Sequence, residues 1–248
     1  MRIAVAGGTG AVGRHVVDAI RREGHEPVVL TRSSGVDVRT GAGLVEALTD
    51  VAVVIDVTNT PTNSRRKAIA FFEAATANLQ RAGRQAGVGH LVALSIVGCD
   101  RVPIGYYAGK VRQEECLAAG ELPWTVLRAT QFFDFPIQLL DRLSPAPVLT
   151  IPRWRTQPVA AREVADALVE LALAEPAGKA PDIAGPEVHQ MADLVRDVLQ
   201  KIGRRRPVVS FRLPGAAGRA IAGDGSLPTE PGPRGKQTFS QWLATLNT

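Results

Sequence analysis

Cysteine is almost missing from this chain of 248 residues. Cys99 and Cys116 are the only two, and both fall in apolar or partly apolar segments. That excludes a disulfide framework and any zinc-ligand spacing, and it points to a reduced, cytoplasmic setting. His15, His25, His90 and His189 share no metal or triad spacing, so no metal is expected. Long apolar runs are missing as well: none approaches the roughly eighteen residues that cross a bilayer. The apolar N-terminal stretch passes straight into a glycine turn and an amphipathic segment, which does not read as a signal peptide. Lysine is scarce, with Lys67, Lys110, Lys179, Lys201 and Lys236 among 29 basic residues. The formal charge of +5 therefore rests on arginine, which tracks genome base composition more than a polyanionic partner. Arg204-Arg205-Arg206 is too short for a basic arm, and no aromatics interleave with the arginines, so neither nucleic acid nor membrane is an expected partner. What is present is ordinary for a folded protein, 45% hydrophobic and 21% charged.

Short apolar runs alternate with segments of helical period, as in a parallel sheet covered on both faces. Strands are expected at Arg2–Ala6, Pro27–Thr31, Val36–Val38, Val51–Val57, His90–Ser95 and Trp124–Arg128. Helices are expected at Val12–Arg22, Leu44–Leu48, Arg65–Ala86 and Tyr107–Ala119, the long one broken by Gly87-Val88-Gly89. After Gln131 the pattern loosens, interrupted by Pro136, Pro145, Pro147, Pro152 and Pro158. Ala161–Ala174, Met191–Ile202 and Phe239–Leu246 read as helices, Asp182–Ala184 as a short strand and Gly223–Gly235 as a loop. The expectation is one α/β unit over residues 1–248, a doubly wound parallel sheet of the Rossmann type. Residues 131–248 then supply a small C-terminal appendage that covers the substrate side. The helices Arg65–Ala86 and Tyr107–Ala119 demand burial somewhere, within one chain or across a homodimer, so monomer and homodimer both stay open.

Ala6-Gly7-Gly8-Thr9-Gly10-Ala11-Val12-Gly13 joins the first strand to the first helix. Gly7 suits the tight turn, Gly10 lets backbone approach a pyrophosphate, and Gly13 lets the helix pack on the strand. The helix start then offers amide donors and a partial positive charge, with Gly7, Thr9, Gly10, Ala11 and Val12 cradling the phosphates. The end of the second strand discriminates between dinucleotides: an acid there holds ribose hydroxyls, an arginine a 2′-phosphate. Here Thr31-Arg32-Ser33-Ser34 follows, with no acid before Asp37, so NADP(H) is expected in preference to NAD(H). Asp37 and Val38 are placed near the adenine, and Val57, Thr58 and Asn59 along the adenosine ribose. Asp56 reads as a turn residue rather than an acid catalyst.

Ser95 ends a strand, and Tyr106 and Lys110 follow at a Tyr-x-x-x-Lys spacing, which on a helix places both on one face. A phenol is a poor acid–base at neutral pH, and an adjacent ammonium would lower its pKa. Lys110 would also hold the nicotinamide ribose, and Ser95 would orient a substrate carbonyl. Tyr107 is the rival proton donor. Gln131, Phe132 and Phe133 follow the last strand of the sheet, and with Tyr107 and Trp154 they are expected to line a pocket for a small hydrophobic substrate, the phenylalanines reading equally as core and Trp154 as lid or surface.

These motifs, together with Leu94-Ser95-Ile96-Val97-Gly98, Glu114-Glu115 and Leu122-Pro123-Trp124-Thr125-Val126-Leu127-Arg128, resemble the short-chain dehydrogenase/reductase superfamily. The likeness is greater to its atypical branch of NmrA-like, NAD(P)H-binding proteins, over roughly residues 1–130. It implies the doubly wound fold, use of NADP(H) and, for many members, reduction of a carbonyl or conjugated double bond. In some reductases of the branch the lysine alone is essential. Other members are redox sensors that bind the dinucleotide and perform no chemistry. The expected function is thus an NADP(H)-dependent reductase of a small carbonyl or enone. A non-catalytic NADP(H) sensor, or an isomerase or cyclase on the same scaffold, is the alternative.

Overall fold

The computed structural model describes residues 1–143 and 147–246. Strand and helix alternate through the first half: β1 (Arg2–Ala6), α1 (Ala11–Arg22), β2 (Glu26–Leu30), α2 (Leu44–Ala47), β3 (Val51–Asp56), α3 (Arg65–Ala86), β4 (His90–Ile96), α4 (Gly105–Ala119) and β5 (Trp124–Ala129). There follow α5 (Phe135–Arg142), β6 (Leu149–Pro152), β7 (Arg155–Thr156), α6 (Ala161–Leu173), β8 (Gly178–Lys179), β9 (His189–Gln190), α7 (Met191–Lys201), β10 (Val208–Phe211), α8 (Gly215–Ala222) and α9 (Phe239–Ala244). A central sheet has the order β2-β1-β3-β4-β5-β8, with every pairing parallel. This is the doubly wound Rossmann-type architecture.

The central strands are mostly apolar because helices cover both faces. Ile3 and Val5 of β1 join Val12, Val16 and Ile20 of α1 and Val164 and Leu168 of α6. The alternate residues Ala4 and Ala6 turn to the other layer, with Leu44, Leu79 and Leu117 from α2, α3 and α4. Helix α3 starts where the Ser64 hydroxyl accepts from the Lys67 amide at 3.4 Å, and it ends at Gly87, whose φ is +77°. Helices α3 and α4 meet at Gly109, where a Cβ would stand 2.7 Å from the Phe72 ring and 2.8 Å from Ala68. That close approach sets where α4 lies over the sheet. A separate cluster of Phe133, Leu140, Leu149, Ile151, Leu194, Val198 and Phe239 packs the C-terminal elements together. There β6 pairs parallel with β10, and β7 antiparallel with β9.

Several expectations need correction. Val36–Val38 is not a strand: Gly35, Gly41 and Gly43 have positive φ and fold the segment back, so Asp37 bridges only to Ala42. Asp182–Ala184 is not a strand either. Ile183 and Ala184 make isolated bridges to Ala129 and Arg234, and the sheet edge is formed earlier, by β8. Pro136 does not interrupt the chain but occupies the first turn of α5, where a missing N–H costs nothing. Pro145 lies outside the described residues. Helices α5 and α8 and strands β6 and β10 escape the sequence pattern because they are short and adjoin prolines and glycines. Among the described residues no helix is long and apolar enough to cross a membrane, and no cluster of His, Cys, Asp and Glu could hold a metal ion.

Candidate active site

The strand order reverses at β1, where Ala6 pairs with Leu30 on one side and Asp56 on the other. In sheets of this kind ligands bind at such a point, beyond the carboxyl ends of the strands. Gly7 takes φ +84°, and a Cβ on it would lie 2.8 Å from the Val57 carbonyl oxygen. The Gly10 amide donates to the Gly7 carbonyl at 2.9 Å, closing the turn. At Gly13 a Cβ would stand 2.6 Å from Gly8 Cα, so α1 begins hard against that turn. Gly10 caps α1 with no side-chain hydrogen bond, and the first turn carries no acid. The amides of this end have no side chain competing for them, and the helix end is partially positive. Thr9, Gly10 and Ala11 are exposed, whereas the Val12 side chain packs inward.

Beyond β2 the chain makes a short turn in which Thr31, Ser33 and Ser34 tie one another down. The Thr31 hydroxyl lies 3.0 Å from Ser33 Oγ and 2.9 Å from Ser34 Oγ, and it accepts from the Ser34 amide at 3.2 Å. The Arg32 guanidinium is left exposed, with no hydrogen bond or ion pair among the described residues. Asp37 accepts from the Arg39 amide at 2.8 Å, and the Val38 carbonyl accepts from Asn78 Nδ2 at 2.9 Å. Beyond β3, Asp56 is buried and turns the chain by accepting from the Thr58 amide at 2.9 Å. The Thr58 amide lies beside Gly7, and the buried Thr58 hydroxyl has no partner among the described residues. An orphaned buried hydroxyl costs stability unless a ligand satisfies it. Glycine cradle, bare helix end and unpartnered hydroxyl together fit a dinucleotide.

Helix α4 brings two tyrosines and the lysine to this edge. The Tyr106 hydroxyl donates to Asn59 Oδ1 at 2.6 Å, on the loop after β3. Lys110 is buried, its Nζ donating at 2.9 Å to both the Leu94 carbonyl and Gln113 Oε1 and standing 4.2 Å from the Phe72 ring centre. Gln113 Nε2 in turn donates to Asp56 Oδ2 at 2.8 Å. Burial pulls the Lys110 pKa down to about 8, against the opposing pull of Asp56. Burial raises the Tyr106 pKa well above the usual range, with Tyr107 and Asp56 acting the same way and Arg142 opposing. The expected lowering of the phenol by the lysine therefore does not occur: the ammonium is turned to Leu94 and Gln113, and burial dominates at the tyrosine. Tyr107 is more buried still and is pushed up to about 12, while its hydroxyl accepts from Gln131 Nε2 at 3.4 Å.

Ser95 and Tyr106 are not brought into contact. The Ser95 hydroxyl is buried and donates to Glu114 Oε1 at 2.5 Å. Glu114 is gripped by two arms of Arg128, at 2.8 and 2.7 Å, and Arg128 also reaches Asp100 at 3.0 Å. Cys99 points at the same carboxylate at 3.5 Å, and burial first and then Glu114 push its thiol up to about 12, which leaves it unreactive. The sequence signal for this cluster was the pairing of Ser95 with Arg128 on adjacent strands, which a linear reading does not expose. The signal for Gln113 was its place three residues after Lys110 on one helix.

The pocket residues separate into two groups. Gln131 is tied to Tyr107 and accepts from the Thr156 hydroxyl at 2.5 Å. Phe132 is half-buried against the sheet core. Trp154 stands edge-on to Phe135 at 5.4 Å, donates from Nε1 to Ser226 Oγ at 3.0 Å, and shares a cluster with Tyr106 and Tyr107. Phe133 is not a wall residue: 1% exposed, it packs between Phe239 and Trp242, each at 5.7 Å.

Comparison with known proteins agrees with this geometry. Residues 7–175 match the family described as NAD(P)H-binding. The chain is 30% identical over 220 residues to (4-alkanoyl-5-oxo-2,5-dihydrofuran-3-yl)methyl phosphate reductase of Streptomyces griseus, covering 82% of this chain and 74% of that protein. Its fold is similar to that of MoeE5 in complex with UDP-glucuronic acid and NAD (TM-score 0.75, 18% identity, 99% and 97% of the two chains). It is also similar to Thermus thermophilus UDP-glucose 4-epimerase in complex with NAD (TM-score 0.69, 19% identity, 99% and 100%). With its glycine cradle at the β1 switch point, the chain belongs to the family described as NAD(P)H-binding.

Proposed function

We propose that this oxidoreductase uses NADPH to reduce a small hydrophobic carbonyl or enone compound. One observation carries the reading: the bare amide end of α1 and the unpartnered Arg32 guanidinium stand on the same carboxyl edge of the sheet as the Tyr106 hydroxyl. When bound, NADPH supplies the hydride. The amides of Thr9, Ala11 and Val12 would hold the pyrophosphate where Gly10 lets it approach, and the Thr58 hydroxyl would gain a partner. Arg32 and Ser33 bind the 2′-phosphate, which favours NADP(H) over NAD(H). Asp37, Val38 and Val57 flank the adenosine, with Asn59 fixing Tyr106. Burial keeps the Tyr106 phenol protonated, so it acts as the proton donor to the reduced substrate rather than as a base. Lys110 positions α4 through Leu94, Gln113 and Asp56, with Ser95 held behind it by Glu114. Phe132, Trp154 and Tyr107, braced by Gln131, form the apolar wall. The compound in the Streptomyces relative's name has a ring double bond conjugated to two carbonyls, which supports an enone within this class.

The test is titration with NADPH and NADH by tryptophan fluorescence, followed by NADPH consumption over a panel of enones and ketones. Tight NADPH binding with turnover that Tyr106→Phe reduces supports the reading. Absence of dinucleotide binding, or turnover indifferent to Tyr106→Phe, refutes it. Tight NADPH binding without turnover leaves the sensor reading, which the burial of Lys110 favours, since its ammonium is committed inside the protein.

A further inference from the structure

Away from the cradle, an open groove of about 660 Å³ lies between β10, α7 and α8, within the roughly 300–1,000 Å³ of small-molecule sites. Four arginines line it from four different segments: Arg153 after β6, Arg196 on α7, Arg212 after β10 and Arg219 on α8. Asp193 is the one acid in that lining, and it is committed to Arg196 at 2.5 Å; the other arm of Arg196 donates to the Val208 carbonyl at 3.0 Å. The guanidinium groups of Arg153, Arg212 and Arg219 engage no carboxylate or carbonyl among the described residues. Elsewhere Arg2, Arg22, Arg112 and Arg128 each face a carboxylate. Like charges converging without a counter-charge repel, and the arrangement becomes favourable when an anion enters. Guanidinium forks match phosphate oxygens two at a time.

The scaffold under these side chains is held in place. The Arg153 amide donates to the Phe211 carbonyl at 2.8 Å, and α8 packs so closely on the Leu213 carbonyl that Gly218 has no room for a Cβ. Leu213 both lines the groove and packs in the cluster of Tyr106, Tyr107 and Ile221. The groove is thus one side-chain layer from the tyrosines.

We infer that this groove binds a small molecule carrying a phosphate or diphosphate group, apart from the dinucleotide cradle. The group belongs either to the substrate, in which case the inference deepens the reductase reading, or to a separate effector. The first experiment is calorimetric titration of the NADPH-saturated protein with inorganic pyrophosphate, so that the cradle is already filled. Wild type is expected to bind, each of Arg153→Gln, Arg212→Gln and Arg219→Gln to weaken binding about tenfold, and the triple variant to show none while keeping wild-type NADPH affinity. No pyrophosphate binding by wild type, or equal binding by the triple variant, overturns the inference. Turnover separates the sources. A rise in KM for a phosphorylated enone, with none for its dephosphorylated counterpart, identifies a substrate anchor; a change in rate on adding pyrophosphate, without competition, identifies an effector. Should the reductase reading fail for want of turnover, the titration still decides the groove.

Discussion

Gly13→Ala tests whether α1 is clamped to the turn that makes the cradle. The new methyl would stand 2.6 Å from Gly8 Cα and overlap the Gly7 carbonyl, where carbon atoms need roughly 3.5 Å or more. Both neighbours are backbone, so neither swings aside, and the helix or the turn has to move by about 1 Å. Overpacking of this kind costs roughly 1–3 kcal/mol, and alanine's better helix propensity returns at most about 1 kcal/mol. A net loss of up to about 2 kcal/mol lowers the melting temperature of a chain this long by roughly 4–8 °C. The displacement also drags the first-turn amides off the pyrophosphate. Losing one charge-assisted hydrogen bond, about 1.5–3 kcal/mol, weakens NADPH binding tenfold or more. Gly10→Ala is the control, because its Cβ meets only the Gly7 carbonyl oxygen, at 3.2 Å. That variant should melt close to wild type yet bind NADPH weakly, its methyl occupying the path of the pyrophosphate. Scanning calorimetry and fluorescence titration read the two effects separately. A Gly13→Ala protein that melts and binds like wild type would refute the clamp, and a Gly10→Ala protein with full affinity would move the pyrophosphate away from α1.

Arg32→Ala should weaken NADPH about tenfold or more and leave NADH nearly unchanged, since only the former carries the 2′-phosphate; equal losses in paired titrations would remove Arg32 from that role. Lys110 gives a pH signature. Its pKa in the folded chain is about 8 against roughly 10.4 unfolded, so the unfolded chain binds more protons between these values and stability rises with pH across that window, by about 3 kcal/mol when complete. Lys110→Met should flatten that rise in urea melts at the two ends of the window, and an unchanged rise would assign it to other groups. Arg128→Met strands the buried Glu114 carboxylate and should cost roughly 3–5 kcal/mol, much of it recovered by adding Glu114→Gln; additive losses in the double variant would deny the coupling. Phe133→Ala should cost roughly 3–5 kcal/mol of stability without changing the KM for substrate, whereas a raised KM at full stability would return Phe133 to the pocket wall.

Most of the sheet was legible from local pattern. The apolar run Ile3, Ala4, Val5 and Ala6 already announces a strand buried on both faces, and Gly87 marks the end of α3. The glycine turn was equally plain, because its constraint acts between atoms close in sequence. Legibility failed where short elements depend on distant partners. Strand β10 exists only by pairing with β6, nearly sixty residues earlier, and β8 only by lying beside β5.

The candidate site divides the same way. A Tyr-x-x-x-Lys spacing determines that Tyr106 and Lys110 share a helix face, because 3.6 residues make a turn. It does not determine their chemistry. Burial raises the phenol, and the Leu94 carbonyl and Gln113 claim the ammonium. Ser95 likewise reads as a strand-end hydroxyl until β4 and β5 pair and deliver Glu114 and Arg128 to it. Phe132 and Phe133 are indistinguishable as letters, yet α9 folds over only one of them. Sequence by itself determined the fold class and the dinucleotide turn, since those follow from periodicity and from glycine's missing Cβ. Which side chains are desolvated, paired or left open to a ligand was decided only by tertiary packing, because a pKa and a hydrogen bond depend on what the rest of the chain brings within a few ångströms.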